Sequence, residues 1–277
     1  MIATAEWRSL QQELKSSYAI SPDAIEFYRQ NGYVKLKRVL SPAVLSYYGD
    51  IISERVIKLN TLVKPMAERT TYERAFLQIM NLWQEDEQVS EFVFSTRLAK
   101  IAADLMGVQG VRLYHDQALY KEPSGGITPW HADQFYWPLA SPSTVTVWIP
   151  LQETPMNMGP LAFAEGSQHV EIGRDVAISD DSEAILAREL QSRNFPLNNM
   201  PFDLGEVSYH SGWTFHRAGP NTSDQPRRVM TVIYMDKDQI ITEPRNRFQA
   251  ADHATWLANA PVGSHPQDGL NPVLFSY

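Results

Sequence analysis

His131 and Asp133 stand two residues apart near the middle of the chain, in Thr128-Pro129-Trp130-His131-Ala132-Asp133-Gln134-Phe135-Tyr136-Trp137. If this segment is extended, the two side chains share a face, because strand side chains alternate with a period of 2. A histidine and a carboxylate on one face offer two ligands to a divalent metal. A third from elsewhere would complete a two-histidine, one-carboxylate set, which holds Fe(II) and leaves positions open for chemistry. Taken alone the pair is weak. A chain with seven histidines produces it by chance in roughly one case in three.

His216 is the best third ligand. It lies in Ser211-Gly212-Trp213-Thr214-Phe215-His216-Arg217-Ala218-Gly219-Pro220-Asn221, after a strand-like stretch and before a turn, and Arg227 follows eleven residues later in another strand-like stretch. Three protein ligands on one face of a metal leave three sites free. A keto-acid fills two of them through its keto oxygen and C1 carboxylate, and O₂ takes the last. The other carboxylate then needs a buried, fixed cation, and the planar fork of arginine suits that task.

The elements that must position these residues fall into two parts. Residues 1–20 read as a polar lead-in with a short helix. Ser21-Pro22-Asp23 supplies a cap, a first-turn proline and an acidic first turn for a helix over Ala24–Gln30, which Asn31-Gly32 stops. Tyr33–Leu40 alternates as a strand. Ser41-Pro42 repeats the capping pattern before a helix to about Leu59, residues 60–90 are mixed and partly helical, and another helix runs from about Ser95 to Leu105. From Val108 the period becomes that of strands. Strands are expected over Val111–Tyr120, the motif itself, Thr144–Leu151, Leu161–Ala164, Glu206–His210 and Arg227–Tyr234, with a loop over 217–226. Residues 170–200 read as a polar insertion carrying a helix over Ser182–Arg193. Ser179-Asp180-Asp181-Ser182 is its solvated start, without the spacing of a calcium loop. The tail, 237–277, reads as mostly irregular. Helices first and antiparallel strands later make an α+β chain with a mainly β core. The expected organisation is one domain over 1–277: a mainly helical part to 107, a strand-rich core over 108–236 and the tail.

Composition narrows the chemistry. The chain has no cysteine, which excludes disulfides, thiolate zinc sites, iron–sulfur clusters and cysteine nucleophiles. The formal net charge is −8 and no Lys/Arg-rich block appears, so nucleic acid is not an expected partner. No apolar run approaches the ~18 residues of a membrane span, and Met1–Leu14 lacks the apolar core of a signal peptide. The expectation is a cytoplasmic protein, monomer or homodimer, acting on a small molecule.

His131-x-Asp133, then His216, then Arg227 resembles the phytanoyl-CoA dioxygenase family of Fe(II)/2-oxoglutarate oxygenases. The likeness spans most of the chain. It includes Tyr33–Leu40 after its capped helix, Lys121-Glu122-Pro123 before the metal motif, and Gly159-Pro160-Leu161 through Gly166-Ser167-Gln168-His169. The resemblance implies a double-stranded β-helix, or jelly-roll, with flanking helices. It implies Fe(II), 2-oxoglutarate and O₂, with His131, Asp133 and His216 as iron ligands. Arg227 matches the co-substrate's carboxylate partner, while Gln117 and Trp148 fall where the family lines that site. Arg228 competes with Arg227, since strand neighbours face opposite ways, and spacing favours Arg227. The family often has a small hydroxyl residue two positions after the distal histidine, where this chain has Ala218. Halogenases of the superfamily replace the metal carboxylate with a small residue, so Asp133 points to hydroxylation or a related oxidation. The implied reaction oxidises an unactivated C–H while 2-oxoglutarate is decarboxylated to succinate and CO₂.

Phe135, Tyr136, Trp137 and Trp213 are candidate substrate walls. His115 reads either as a wall or as core, and His169, His210, His253 and His265 read as structural or exposed. The N-terminal helices and the 170–200 insertion are expected at the pocket mouth. Two other readings share the residues: a cupin-like metal enzyme that uses no keto-acid, and a non-catalytic binding protein on the same fold.

Overall fold

The computed structural model describes residues 4–277. Helix α1 (Thr4–Lys15) leads to α2 (Pro22–Asn31), whose Ser21 cap accepts from the Ala24 amide at 3.2 Å and which ends at Gly32. After β1 (Tyr33–Leu36) comes α3 (Pro42–Leu59), capped by Ser41 in the same way. Short α4 (Thr71–Ala75), strand β2 (Leu77–Met80), α5 (Glu87–Val93) and α6 (Thr96–Met106) complete the helical part. The strands then follow: β3 (Gly110–Tyr120), β4 (Thr128–His131), β5 (Thr144–Pro150) and β6 (Leu161–Ala164). Helix α7 (Asp180–Ser192) precedes β7 (Leu197–Asn199), β8 (Val207–Ser211), β9 (His216–Ala218) and β10 (Val229–Asp236), and α8 (Arg247–Trp256) and β11 (Val273–Ser276) close the chain.

Two antiparallel sheets result. The major sheet runs β1-β8-β5-β10-β3-β11, with β2 also paired to β3, and the minor sheet runs β4-β9-β6-β7. The period-2 pattern of β5 explains the layering. Val145, Val147 and Ile149 join the large core beneath α3, α5 and α6, while Thr144, Thr146 and Trp148 face the other way. In β10, Met230, Val232 and Tyr234 point to the helices, and Val229, Thr231, Ile233 and Met235 point inward. Each fully buried aliphatic side chain of this core contributes roughly 1.5–3 kcal/mol.

Register then sets two rows of side chains across the inner face. Thr231 is flanked by Gln117 and Trp148. Two residues further along, Ile233 is flanked by His115 and Thr146, and Thr146 by His210. A bulge separates His115 from Leu113 in the pairing with β10. It leaves Tyr114 and His115, though consecutive, on the inner side, a re-aiming that bulges commonly perform.

Several boundaries differ from the sequence reading. The strand expected over Tyr33–Leu40 ends at Leu36, because the chain turns through Arg38 (φ 55°) and the Val39 amide bonds to the Gly205 carbonyl at 2.9 Å. The central motif is extended only to Ala132, and a 3-10 turn begins at Asp133. Arg217 and Ala218 belong to β9 (His216–Ala218), not to the loop expected over 217–226, while Arg227 precedes β10 and bridges Lys121. The tail is mostly irregular, as expected, but it carries two elements: α8 packs on the 3-10 turn through Gln249 Nε2, which donates to the Phe135 carbonyl at 3.0 Å, and β11 pairs with β3. No helix among the described residues is long and apolar enough to cross a membrane.

Candidate metal centre and adjoining cavity

His131 ends β4 and pairs in register with His216 at the start of β9. Asp133 follows after one extended residue. Each histidine Nε2 lies 3.6 Å from Asp133 Oδ1, and all three donor atoms fall within 4.8 Å of one another. The other ring nitrogens are fixed by backbone. His131 Nδ1 donates to the Pro129 carbonyl at 2.7 Å and His216 Nδ1 to the Thr214 carbonyl at 3.0 Å. This tautomer leaves each Nε2 lone pair free for a metal. Burial, then the neighbouring histidine, pushes both imidazoles down to about 4. Burial opposes ionisation of Asp133, but the histidines around it outweigh that and hold its carboxyl well below the usual range. At neutral pH the set is two neutral imidazoles and one carboxylate, the donor set that suits Fe(II).

The remaining oxygen of Asp133 is also held. Oδ2 accepts from Thr146 Oγ1 at 2.9 Å and from His210 Nε2 at 3.3 Å. Both donors come from the second row across the major sheet, so this sheet aims a ligand carried by the other. His210 is buried, and its ring lies 4.3 Å from that of His216. Sequence reading treated it as structural or exposed. Its alternation with Ser208 on the inner face of β8 was the available signal, but only the pairing of Thr146 with His210 shows what it faces. Strand β4 is braced from outside by α7: Ser182 Oγ donates to the Trp130 carbonyl at 2.8 Å, and Glu183 accepts from the Trp130 amide at 2.9 Å.

A cavity of about 440 Å³ opens beside the triad. One part is lined by Gln117, Thr128, Trp148, Ala218, Arg227 and Thr231. Arg227 is 1% exposed, and among the described residues no carboxylate pairs with it. Its guanidinium donates to the Gly159 carbonyl, lies 5.4 Å over the Trp148 ring, and leaves Nε without a partner. Gly159 (φ 68°) lets its turn pack on the loop after β9, since a Cβ there would sit 2.2 Å from the Gly219 carbonyl oxygen. Burial pulls the Arg227 pKa down to about 9, so it is still charged at neutral pH. A buried, unpaired cation is costly and calls for an anion. Arg228 faces the other side, donating to Gln152 Oε1 at 2.7 Å. Gln117 accepts from Gln78 Nε2 at 2.6 Å, and Gln78 Oε1 accepts from Tyr72 at 2.8 Å. Gln78 and Tyr72 come from a region read only as mixed. Thr128 pairs directly with Ala218 and lines the same part of the cavity, its Oγ1 accepting from Lys121 Nζ at 3.4 Å. Lys121 is fully buried and binds the carbonyls of Gly126 and Gly219, the latter at 2.9 Å, which ties the loop after β9 to β3. Burial, then Arg227, pulls its pKa down to about 6.

The other part of the cavity is aromatic, with Tyr72, Phe76, Tyr136, Trp137, Phe248 and Trp256 in its wall beside His115 and Asp252. Of the sequence candidates, Trp137 and Tyr136 line it. Phe135 and Trp213 do not: Phe135 packs against Phe248, and Trp213 lies under Arg174 against the α7 cluster. The insertion contributes Ile178 to the wall, its amide donating to the Tyr136 hydroxyl at 2.9 Å, and otherwise braces β4. The three residues from α8 were missed, because that helix has no buried residue and so no apolar stripe to read.

Among curated proteins, the chain is 26% identical over 156 residues to a probable alpha-ketoglutarate-dependent hypophosphite dioxygenase of Stutzerimonas stutzeri (55% of this chain, 54% of that one). It is 27% identical over 171 residues to the L-proline trans-4-hydroxylase of Streptomyces griseoviridis (54% and 63%). The chain thus spans between half and two thirds of the length of these relatives. Among solved structures, the non-heme alpha ketoglutarate dependent carbocyclase SnoK from nogalamycin biosynthesis superposes with a TM-score of 0.76 at 26% identity, covering 92% of this chain and 97% of that one. The epimerase SnoN, in complex with Fe3+, alpha ketoglutarate and nogalamycin RO, shares the fold at 22% identity and a TM-score of 0.75, covering 91% and 98%. These folds match the two-sheet architecture described above, a jelly-roll with helices on one face. A profile of the family described as Phytanoyl-CoA dioxygenase (PhyH) matches residues 28–229, and with the facial triad inside that stretch the chain belongs to this family of iron- and 2-oxoglutarate-dependent oxygenases.

Proposed function

We propose that the protein is a non-haem Fe(II)/2-oxoglutarate-dependent oxygenase that hydroxylates an unactivated C–H of a small metabolite. The observation that carries this reading is Arg227, a buried charge with no counter-charge among the described residues, in the same cavity as His131, Asp133 and His216. A metal enzyme with no keto-acid has no use for it, and a mere binding protein has no use for a triad with open positions.

His131, Asp133 and His216 would hold the iron, and Arg227 the distal carboxylate of 2-oxoglutarate. With O₂, this pair supplies an oxidant able to break a C–H bond as the keto-acid becomes succinate and CO₂. The chain's own part is positional. Thr146 and His210 keep Asp133 turned to the histidines. Trp148 and Thr231 wall the co-substrate, and Gln117, held by Gln78, offers it an amide. Thr128 offers it a hydroxyl. The aromatic wall excludes water and receives the substrate. A cytoplasmic setting fits the absence of a membrane-spanning helix among the described residues.

The test is anaerobic titration with Fe(II) and 2-oxoglutarate, watching for the visible metal-to-ligand charge-transfer band. A band that needs both components, and that Arg227→Met loses, supports the reading; no band in the wild type would sink it. A metabolite screen scored by succinate release then finds the substrate. Mass spectrometry of the product separates hydroxylation (gain of oxygen) from ring closure (loss of two hydrogens) or epimerisation (no change). That distinction matters because the carbocyclase SnoK is a structural neighbour.

A further inference from the structure

We propose that Asp252 is the substrate anchor of this cavity and that it selects a substrate carrying a cationic nitrogen next to an apolar body. The inference rests on the oxygenase reading of the same site and adds the class of molecule it takes.

Three observations carry it. Asp252 and Asp133 are the carboxylates lining the cavity among the described residues, and Asp133 is committed to the metal. Asp252 is held in place without being used up. Its Oδ2 accepts from the Tyr114 hydroxyl at 3.0 Å, and no donor among the described residues reaches Oδ1. Tyr114 reaches it only because the β3 bulge turns Tyr114 and His115 to the inner side together. Its surroundings are π faces: Trp256, one turn further along α8, lies 5.2 Å from the His115 ring, and Tyr136 and Phe248 close the same wall. Aromatic faces around one carboxylate form a receptor for an ammonium group, which gains both a salt bridge and cation–π contact.

Charge balance points the same way. Fe(II) and Arg227 together are neutralised by Asp133 and the two carboxylates of 2-oxoglutarate. Burial and the nearby Arg227 favour the neutral form of Lys121. Among the described residues, Asp252 is then the one carboxyl left in the wall without a cationic partner. Burial pushes its carboxyl up to about 7, the mark of a carboxylate that lacks a counter-ion. A neutral or anionic substrate leaves that cost in place, and a cationic one removes it.

The experiment uses the full-length protein loaded anaerobically with Fe(II) and 2-oxoglutarate. Binding of matched probes is measured by isothermal titration calorimetry: 2-phenylethylamine against 2-phenylethanol, and tryptamine against tryptophol. Each amine is expected to bind about tenfold or more tightly than its alcohol, as for a hydrogen bond to a charged partner. Asp252→Asn should erase the preference, and Tyr114→Phe, which keeps the carboxylate, should retain most of it. Equal binding of amine and alcohol by the wild type would overturn the proposal. So would an undiminished preference in an Asp252→Asn protein that still forms the charge-transfer band. The band separates the two levels: without it the oxygenase reading fails, whereas a band with no amine preference sinks only the role of Asp252.

Discussion

Arg227→Met should make the ligand-free protein more stable while removing its response to 2-oxoglutarate. The two effects have opposite signs because the guanidinium is a liability until the anion arrives. Burial lowers its pKa from 12.5 to about 9, and each tenfold change in a protonation equilibrium is about 1.4 kcal/mol. The charge therefore costs the empty fold several kcal/mol. Methionine fills much of the same volume beside Trp148 without that cost, though it forfeits the bond to the Gly159 carbonyl. Replacing a buried charge by a hydrophobe of similar size stabilises proteins by about 1–4 kcal/mol; allowing for the lost bond, we expect about 1–3 kcal/mol, or roughly 2–8 °C in Tm for a chain of this size. In the wild type, metal plus 2-oxoglutarate at one hundred times its Kd should add about 2.7 kcal/mol. In the variant, losing one partner of a buried pair costs about 3–5 kcal/mol, so affinity for 2-oxoglutarate falls by roughly two to four orders of magnitude and the same concentration adds almost nothing to the shift that the metal alone produces. Differential scanning fluorimetry with Mn(II) as a redox-stable metal reads both effects. A variant that melts several degrees below the wild type without ligand, yet keeps the ligand-induced shift, would refute the reasoning.

The donors to Asp133 give a second expectation: Thr146→Val or His210→Phe should weaken Mn(II) or Co(II) binding about 10–100-fold, the usual effect of removing a partner that orients a ligand, as read by calorimetry. Thr128→Val should raise the apparent KM for 2-oxoglutarate about tenfold with little change in metal affinity, since Thr128 lines the part of the cavity that holds Arg227. Metal affinity should also be flat with pH through the range where ordinary histidines titrate. His131 and His216 protonate only near 4, so protons begin to compete below about pH 5, and calorimetry at pH 7 in buffers of different ionisation enthalpy should show no proton release. A fall in affinity already at pH 6.5 would contradict the burial of the imidazoles.

Residues whose role depends on local spacing were legible in the sequence. His131 and Asp133 declare themselves by a strand period, and the caps at Ser21 and Ser41 mark helix starts that lie where they were expected. His216 and Arg227 needed the family pattern to be joined to them, because nothing in the intervening residues encodes that β4 and β9 pair. What stayed hidden was set by register and by the far end of the chain. His210 aims Asp133 only because β8 lies beside β5. Gln78 meets Gln117 only because a short strand from a mixed region adds to the edge of β3. Asp252 faces the cavity from a helix whose sequence carries no apolar stripe. Phe135 and Trp213 show the converse: aromatic type marks burial well, but not which of two hydrophobic clusters the ring enters.

The two rows across the major sheet divide the site into parts that can change at very different rates. Gln117, Thr231 and Trp148 stand two residues along the strands from His115, Ile233 and Thr146, a step of roughly 7 Å. On the proposed reading, that step separates the residues that would wall the co-substrate from those that aim the metal ligand. It is written in backbone pairing, so no single substitution can lengthen or shorten it. A slip of one residue would turn every inward side chain of β10 to the helices. The preference for a keto-acid of one chain length is in this sense frozen. The opposite wall is built in part from α8, which buries none of its own residues and contributes Phe248, Asp252 and Trp256 beside Tyr72, Phe76, Tyr136 and Trp137. New substrates are open to this scaffold by rewriting one surface helix, while the oxidising half remains untouched.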